Sequence, residues 1–590
     1  MNNPVACWLT SAILLCVCVA RAADQLVTNT NDSGVGSLRQ SIIDAGSGNT
    51  VTFAPVLSGA TIILGGAELT IDKSLTIDAS ALADRITIDA NGATTNHRVL
   101  GISIGSDVSL RSLNFTGGKT ASLTDGGGIC NSGGSVTLNN CSVSGNQGSG
   151  IVNKGGVNVA TITLTDCEVS ENVGSGIYNY SGSGTITTII NHSAITRNSP
   201  GGGVRVIGGD SYVPVTLNDS TVSDNHCDSF GGGIYNFSAA DFHVAAARLV
   251  LNRSTVSGNS ASFSGGGIYN RGLASSSNAT VTLNDSTVSE NSAGYRGGGI
   301  YNDADSGNVA VTLNHSTVSA NSAVTEGGGI YNVDYSAFTA TLALGNSIVA
   351  GNSSASGSDI LNHLGTVTTQ GVNLLSNLAG SDLSTGPTVL AAPPILAPLA
   401  FYGGPTQTMP PLPGSPAIDS GVGAAESFDQ RGQPRVMDGN GDSNTIPDIG
   451  AVEIQGGGDT VAIISNAFTT DGDHDGSPFG VERALGTDPA LPDCADSANL
   501  AFALNISGQT VIEFGIDPLG AFPGTRWIVS RSATLAPSSF LEIYRFDGTA
   551  DTTMNGTIGV NRTLSKIVVT DKNPPPGKAF YRFQAEFDPE

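Results

Sequence analysis

Acidic residues beyond the middle of the chain have the spacing of a metal-binding loop. The segment DGDHDGSPFGVE runs from Asp471 to Glu482 and matches the pattern D-x-D-x-D-G-x5-E of calcium loops at every defined position. Ca²⁺ prefers about six to eight hard oxygen ligands, which carboxylates and a backbone carbonyl can supply. No long helix is predicted before the loop, so the likeness to a helix–loop–helix site is confined to the loop. The sequence therefore predicts a Ca²⁺ site formed by Asp471, Asp473, Asp475, Ser477 and Glu482.

Tyrosines recur at one position of a repeated phrase and could form a binding surface. In the phrase GGGIYN an inward-pointing isoleucine leaves the neighbouring tyrosine pointing outward, because side chains alternate along a strand. Aromatic rings with a hydroxyl group suit the faces of sugars and protein partners. The alternative is that the rings stack on one another along a sheet. The tyrosines expected in this external column are Tyr178, Tyr235, Tyr269, Tyr301 and Tyr331.

The phrase that carries these tyrosines marks an internal repeat. GGGIYN begins at Gly231, Gly265, Gly297 and Gly327, with a degenerate GSDILN at Gly357, so successive copies are 34, 32, 30 and 30 residues apart. A period of this size indicates a solenoid. Each unit holds three short stretches of alternating, β-branched residues separated by Asn, Asp and Gly, which predicts strands and turns. We therefore predict an all-β fold, a right-handed parallel β-helix.

Equivalent residues of successive units are expected to lie above one another and to fill the interior. The aliphatic columns are Leu217, Leu251, Leu283 and Leu313; Val222, Val256, Val288, Val318 and Ile348; and Ile234, Ile268, Ile300, Ile330 and Ile360. Two structural asparagine columns, whose amides can hydrogen-bond from rung to rung, are Asn225, Asn259, Asn291, Asn321 and Asn352, and Asn236, Asn270, Asn302 and Asn332. Cys141 and Cys167 occupy equivalent positions on neighbouring rungs and could be either bridged or free.

The composition fits an extracellular protein and argues against some partners. The chain of 590 residues has a net charge of −25 and 78 glycines. Such an acidic surface repels phosphate backbones, so nucleic acid is not expected as a partner. An apolar run from Ala12 to Ala20, followed by Arg21 and Ala22, has the pattern of a secretory signal peptide. No later stretch reaches the ~18 apolar residues of a membrane span, so no transmembrane segment is expected in the mature chain.

Changes in pattern divide the chain into parts. Ser37 and Gln40 have the spacing of a helix N-terminal capping box, and a short helix there would cover the exposed end of the first coil. A proline-rich stretch after the coils is expected to leave the solenoid and to run along its surface or cap its far end. The predicted parts are a signal peptide (1–22), an N-terminal helical cap (24–50), a parallel β-helix (51–385), a C-terminal cap region (386–455), a calcium-loop linker (459–494) and a small β-sandwich (495–590).

Several segments resemble families of secreted bacterial proteins. The GGGIYN units resemble the polymorphic outer-membrane protein repeats of chlamydiae, with Val where those repeats have Phe. The segment VTNTNDSGVGSLRQSI, which begins at Val27, resembles the CSLREA-type N-terminal segment of secreted β-helix proteins. Residues 403–453 are similar to the choice-of-anchor Q region of such proteins. These resemblances imply a β-helix outside the cell and say little about activity, because fold does not imply function.

No catalytic arrangement is recognisable in the sequence. Polygalacturonase motifs and a pectate-lyase-like cluster of aspartates are not found, although carboxylates of different rungs, such as those of Glu171 and Asp224, could meet at glycosidase spacing. We assign no catalytic residue and lean against an enzyme. We expect an adhesin-like, calcium-binding protein that is secreted or lies on the outer side of the bacterial envelope and binds a glycan or surface partner. The alternatives are a lyase or glycoside hydrolase acting on acidic polysaccharide, and a passive envelope scaffold.

Overall fold

The chain winds into a long coil of parallel strands. The computed structural model describes residues 23–156, 159–181, 183–239, 245–335, 338–423 and 427–469, and eight strands between 502 and 587. From Gln25 to Ala391 the chain forms a right-handed parallel β-helix with three long sheets, named A, B and C. Each regular rung contributes one strand to sheet C, then one to sheet A and one to sheet B. The predicted all-β fold class is therefore confirmed.

The strands of the three long sheets follow one another rung by rung. Sheet A consists of Gln25–Val27, Asn49–Phe53, Leu75–Asp78, Asp107–Arg111, Ser135–Asn139, Ala160–Thr165, Ile186–Asn191, Tyr212–Asn218, Ala245–Asn252, Ser277–Asn284, Asn308–Asn314, Ala340–Gly345 and Thr366–Gln370. Sheet B consists of Thr61–Ile63, Ile86–Asp89, Leu113–Thr116, Ser142–Ser144, Glu168–Ser170, Ala194–Thr196, Thr221–Ser223, Thr255–Ser257, Thr287–Ser289, Thr317–Ser319, Ile348–Ala350, Asn373–Leu375 and Val389–Ala391. Sheet C consists of Leu69–Ile71, Leu100–Ile102, Gly126–Asn131, Ser149–Gly155, Ile177–Ser181, Val204–Gly208, Ile234–Ser238, Ile268–Gly272, Ile300–Ala304, Ile330–Asp334 and Ile360–His363.

Shorter elements complete the described residues. Two short parallel sheets lie between sheets B and C along the chain, formed by Val173–Gly174 with Ser199–Pro200, and by His226–Cys227, Ser260–Ala261, Ser292–Ala293 and Ser322–Ala323. The C-terminal strands form two antiparallel sheets, one of Phe502–Ile506, Gln509–Gly515, Lys566–Asp571 and Ile558–Arg562, and one of Asp551–Thr553, Leu541–Phe546, Thr525–Ser532 and Phe580–Phe587. The helices are Leu38–Asp44, the 3-10 turn Pro55–Leu57, and Gly457–Thr469.

The interior is filled by the aliphatic columns that the repeat predicts. Leu283 lies beside Leu251 on one side and Leu313 on the other, and all three side chains are fully buried. One predicted member of the valine column, Ile348, was wrong. Val318 pairs with Val349, which continues the column, and Ile348 pairs with Thr317 on the outward row. The register is unbroken here, and NSIVAGN has isoleucine at the outward position where earlier units have threonine. Ile348 therefore packs outside the main core.

At two corners of each rung, one residue adopts the left-handed backbone conformation and allows the chain to turn. In one unit the corner residues are Asp285 (φ 45°), after sheet A, and Glu290 (φ 58°), after sheet B. Aspartate and asparagine tolerate this conformation better than most residues, which explains their frequency after sheet A. The next residue at each corner, Ser286 or Asn291, is buried and bonds to the neighbouring rung.

The predicted asparagine columns are continuous hydrogen-bonded ladders. In the first ladder the amide nitrogen of Asn291 donates to Oδ1 of Asn321 at 2.9 Å, and the series ends where Asn352 donates to Asp359. The second ladder ends where Asn362 donates to Asp382. Within each ladder an amide has partners on both sides, which satisfies polar groups that would otherwise destabilise the core; Oδ1 of Asn236, at the start of the second ladder, is buried without a partner.

Glycines of the repeated phrase let successive rungs approach closely. Gly297 has φ 63°, and a Cβ atom there would lie 2.6 Å from Cβ of Tyr301. A Cβ atom on Gly299 would lie 2.6 Å from the carbonyl oxygen of Gly329 on the next rung. Both contacts are too close for any side chain, so the recurrence of GGG reflects backbone packing.

The N-terminal cap and the cysteines have definite arrangements. The Ser37 side chain accepts a hydrogen bond from the Gln40 backbone nitrogen at 3.2 Å, as the capping pattern predicts, and Leu38 is buried against the first coil. Cys141 and Cys167 are both buried and free, so the open question of a bridge between them is answered.

A long segment returns along the outside of sheet B, and residues 393–455 are here named the strap. Its contacts follow the outward threonines of three successive rungs. Thr255 donates to the Gln407 carbonyl at 2.6 Å, Thr287 donates to Oε1 of Gln430 at 2.6 Å, and Thr317 accepts from the Ala451 nitrogen at 3.1 Å. The proline-rich part thus leaves the coil and lies along the solenoid.

Buried charges hold the strap in place and account for two of its sequence phrases, DQRGQPR at Asp429 and DIGAVE at Asp448. Arg435, from the phrase DQRGQPR, pairs with Asp285 of the solenoid at 2.7 Å, and both side chains are buried. Arg431 of the same phrase pairs with Asp429 at 3.1 Å and with Asp459 at 3.0 Å. Glu453, from DIGAVE, accepts hydrogen bonds from two backbone nitrogens of the strap.

The strap continues into a helix that the sequence analysis did not predict. Helix Gly457–Thr469 follows directly, and its Ile463, Ile464 and Ala467 side chains are buried. The sequence analysis had placed residues 459–494 in a linker, but Asp459 is held by Arg431, which fixes the first turn of the helix. The expectation that no long helix precedes the acidic loop was therefore wrong.

Candidate functional site

The repeated tyrosines lie on the outward row of sheet C. Strand pairing places Tyr235, Tyr269, Tyr301 and Tyr331 beside one another on successive rungs, each next to an inward isoleucine. We name these four residues the tyrosine column. Neighbouring ring centroids are 5.4, 4.9 and 5.1 Å apart along the column. The outward direction deduced from alternation is correct for these four residues.

The rings of the tyrosine column are covered, contrary to the expectation of an accessible aromatic face. All four residues are between 2% and 7% exposed, and they form an apolar cluster of their own outside the main core. Phe230, from the turn before sheet C, stacks on Tyr269 at 5.0 Å, and Phe237 stacks on Tyr235 at 5.5 Å. The column therefore acts mainly as a second core, in line with mutual stacking along the sheet.

Charged residues close the edges of the tyrosine column. The Tyr269 hydroxyl donates to Oδ2 of Asp303 at 2.5 Å, and Arg271 lies 3.6 Å from the same carboxylate. Burial raises the pKa of Asp303 to about 6, against the opposing effects of the Tyr269 hydrogen bond and the Arg271 charge. Burial, together with the charge of Asp303, also raises the pKa of Tyr269 far above its ordinary value. The Tyr269 hydroxyl therefore stays protonated.

An arginine separates the fifth tyrosine from the other four. Arg205 occupies the rung between Tyr178 and Tyr235, and its guanidinium lies 4.4 Å from the centre of the Tyr235 ring. Such a cation–π contact caps the end of the column. Tyr178 is thus not part of the buried column, although it has the same position in its own repeat.

Tyr178 belongs instead to an aromatic pair beside a cavity. Its ring lies 6.4 Å from that of Tyr180, with an angle of 20° between the ring planes. Tyr178 is half-buried and Tyr180 is 40% exposed. The pair lines a cavity of about 380 Å³ whose other walls include Arg98, Asp125 and Lys154. We name this space the sheet C cavity.

Sequence reasoning missed three residues of this face. Tyr180 was not considered because later repeats carry Ile207, Phe237 or Arg271 at its position. Arg205 and Lys154 were also overlooked. The signal was available in GGGVRV at Gly201, which aligns with GGGIYN and replaces its tyrosine with Arg205.

The acidic side chains of the turns are used in ion pairs. Glu171 pairs with Arg197 at 3.2 Å, and Arg197 lies on the rung between Glu171 and Asp224. Asp219 pairs with Arg253 through both carboxylate oxygens at 2.8 Å. The suggested carboxylate pair of Glu171 and Asp224 is thus interrupted by a cation.

The predicted calcium ligands lie outside the described residues. These are Asp471, Asp473, Asp475, Ser477 and Glu482. Within the part of the chain that the structure describes, no group of three or more His, Cys, Asp or Glu side chains is arranged to hold a metal ion. In the acidic turn at Asp438, both carboxylate oxygens of that residue accept backbone N–H groups from within the turn. These hydrogen bonds stabilise the turn.

Comparison with known proteins supports the fold and the repeat. The family model described as "Right handed beta helix region" matches residues 57–220, and the "Chlamydia polymorphic membrane protein (Chlamydia_PMP) repeat" matches residues 285–303. The chain carries a right-handed β-helix. The repeat match indicates a surface protein of the β-helix type, in agreement with the resemblance of the GGGIYN units.

Full-length comparisons add little. No curated protein matches the chain. Among solved structures, ORF18 of Geobacillus virus E2 matches with 12% identity, over 49% of this chain and 62% of that chain, with a TM-score of 0.28. The match thus spans less than two thirds of that chain's length. Among the described residues, no helix combines the length and apolar character needed to cross a membrane.

Proposed function

We propose that this protein is a secreted or surface-displayed β-helix of bacterial origin that binds a glycan or a neighbouring surface without catalysis. The observation that supports this proposal best is the Tyr178–Tyr180 pair, two nearly parallel and partly exposed rings at the edge of a cavity. The chlamydial repeat match supports display at a surface.

The chemistry of the pair favours a sugar. Tyrosine offers a flat apolar ring and a hydroxyl group, which match the apolar C–H face and the polar edge of a sugar ring. A cavity of about 380 Å³ lies within the usual range for small ligands. Because the rings stand on a rigid parallel sheet, little ordering entropy would oppose binding.

The test is a glycan-array screen combined with a depolymerisation assay on polysaccharides, using the full chain with and without Ca²⁺. We expect the wild-type chain to bind at least one glycan and to release no oligosaccharides. The double variant Tyr178→Ala/Tyr180→Ala should lose this binding, whereas Tyr212→Ala should retain it. Tyr212 is a matched control because it is 41% exposed and lies on sheet A. Release of oligosaccharides would support the lyase or hydrolase alternative, and absence of any ligand would support a passive scaffold.

We also propose that the loop from Asp471 to Glu482 binds Ca²⁺. Helix Gly457–Thr469 ends just before the first predicted ligand. A helix that leads into an acidic loop is the arrangement found before the first ligand of helix–loop–helix calcium sites. The ion would neutralise a local cluster of carboxylates on a chain that is already strongly acidic.

A further inference from the structure

The sheet C cavity exists because side chains grow in size from one rung to the next. The outward row runs from Gly101 through Cys130 and Val152 to Tyr178. Cys130 and Val152 have short side chains and form the floor of the cavity, and Tyr178 stands beside them as a wall. At Gly101 the Glu68 side chain covers the row, because a Cβ atom there would lie 2.9 Å from Oε1 of Glu68. With rungs spaced ~4.8 Å apart, this floor extends over two rungs, about 10 Å.

The parallel row beside this floor supplies a cation. Lys154 lies next to Tyr180 on the neighbouring rung and is exposed. In the described parts of the chain, no hydrogen bond or ion pair involves its ammonium group, and no ion pair joins it to Asp125 across the cavity. Lys73, by contrast, donates to the carbonyls of Ile43 and Ala45.

A second cation lies at the far end of the cavity. Arg98 contacts Glu68 through its Nε atom at 2.9 Å, outside the cavity lining, while the arginine itself lines the cavity. Among the charged lining residues Arg98 and Lys154 are cations and Asp125 is an anion. Because Glu68 pairs with Arg98, Lys154 is the lining cation that remains available to a negative group of a ligand.

We propose that the sheet C cavity binds a sugar residue that carries one anionic group, a carboxylate or a sulfate ester, with the ring on Tyr178 and Tyr180 and the anion at Lys154. This inference rests on the proposed glycan-binding function and specifies its ligand class. An ammonium–anion hydrogen bond formed in a partly enclosed site is stronger than one between neutral groups. The aromatic pair alone would not distinguish acidic from neutral sugars, so the discrimination depends on Lys154.

The experiment compares matched ligands and matched variants by calorimetry or surface plasmon resonance. The probes are uronic-acid tetrasaccharides of gluco, galacto and manno configuration, their carboxyl-reduced forms, and O-sulfated derivatives of the reduced forms. The variants are Lys154→Gln and, as a control for net charge, Arg248→Gln, which removes an exposed cation from sheet A. All measurements use the full chain.

We expect an acidic or sulfated probe to bind at least about tenfold more tightly than its neutral form, and Lys154→Gln to abolish that difference. Arg248→Gln should leave it unchanged. Preference for the carboxylated or for the sulfated probe identifies which anion is recognised. Equal binding of charged and neutral probes, or an unaltered preference in Lys154→Gln, would overturn the inference while leaving glycan binding intact. Absence of binding to every probe and every array glycan would overturn both proposals.

Discussion

Tyr269 and Asp303, on neighbouring rungs of sheet C, share a buried hydrogen bond in which the phenol donates to the carboxylate at 2.5 Å. The two residues join the aromatic column to its charged edge. Asp303 is also 3.6 Å from Arg271, which in turn contacts Asp305 at 2.5 Å. The buried hydroxyl and Oδ2 of the buried carboxylate each find a partner in the other, whereas Oδ1 of Asp303 is buried without a hydrogen bond.

Replacement of Tyr269 tests the role of the column in stability. Tyr269→Phe should destabilise the protein by about 1–3 kcal/mol because Asp303 loses its donor. Tyr269→Ala should cost about 3–5 kcal/mol because a large buried ring is removed. Chemical denaturation followed by circular dichroism measures both, with Tyr212→Ala as an exposed control expected to change stability little. Equal stabilities of Tyr269→Ala and the wild type would contradict a structural column.

The pH dependence of stability should report the buried carboxyl of Asp303. Its pKa is raised from 3.8 to about 6 by burial, so the folded state favours the neutral form. The contribution of Asp303 to the free energy of unfolding is fully present below about pH 4 and is lost as the pH rises through 6. This loss corresponds to about 3 kcal/mol. Denaturation curves between pH 4 and 8 should show this slope added to that of Asp448, whose pKa is raised to about 8 by burial, and Asp303→Asn should remove the part that belongs to Asp303. An unchanged slope in Asp303→Asn would show that other groups cause it, and Asp305→Asn serves as the neighbouring control.

The ion pair between Arg435 and Asp285 should hold the strap to the solenoid. Arg435→Met leaves Asp285 buried without its cation, which typically costs about 3–5 kcal/mol. The loss should be local, so hydrogen exchange should rise at the strap and at Thr287 and Thr317, whose hydroxyls contact it. The double variant Arg435→Met/Asp285→Leu should recover much of the protection. Exchange that is unaffected by Arg435→Met would show that the strap is held by its apolar contacts alone.

Calcium binding is tested by titration of the full chain with CaCl₂ after removal of divalent ions. We expect one binding event at the loop from Asp471 to Glu482, abolished in Asp473→Asn/Glu482→Gln because both changes remove carboxylate ligands. Asp442→Asn, in the acidic turn whose carboxylates bond to backbone nitrogens, should bind as the wild type does. Binding that survives in the double variant would place the ion elsewhere.

Much of the β-helix could be predicted because its determinants are local and repeated. The spacing of GGGIYN sets the rung, and alternation places residues such as Leu283 inside and its neighbours outside. The ladder through Asn291 could be foreseen because stacked amides need no information beyond the repeat. Ile348 was misplaced because a single rung with a different phrase removes the marker that fixes the register.

The covering of the tyrosines could not be predicted by the same reasoning. Alternation determines which side of a sheet a side chain occupies, but turns such as the one carrying Phe230 determine whether that side is accessible. The path of the strap depends on pairs as distant in sequence as Asp285 and Arg435, which no periodicity reveals. The separation of Tyr178 from the column depends on Arg205, a single departure from the repeat.

The most direct test of this account compares the exposed aromatic pair with the buried column in one glycan-binding measurement. Tyr178→Ala/Tyr180→Ala should reduce the affinity for the bound glycan at least about tenfold, because the sugar loses the two rings on which it stacks. The thermal stability should change little. Tyr301→Leu, in the column, should lower stability and leave affinity unchanged. Retained affinity in the first variant, together with lost affinity in a folded Tyr301→Leu protein, would contradict the account.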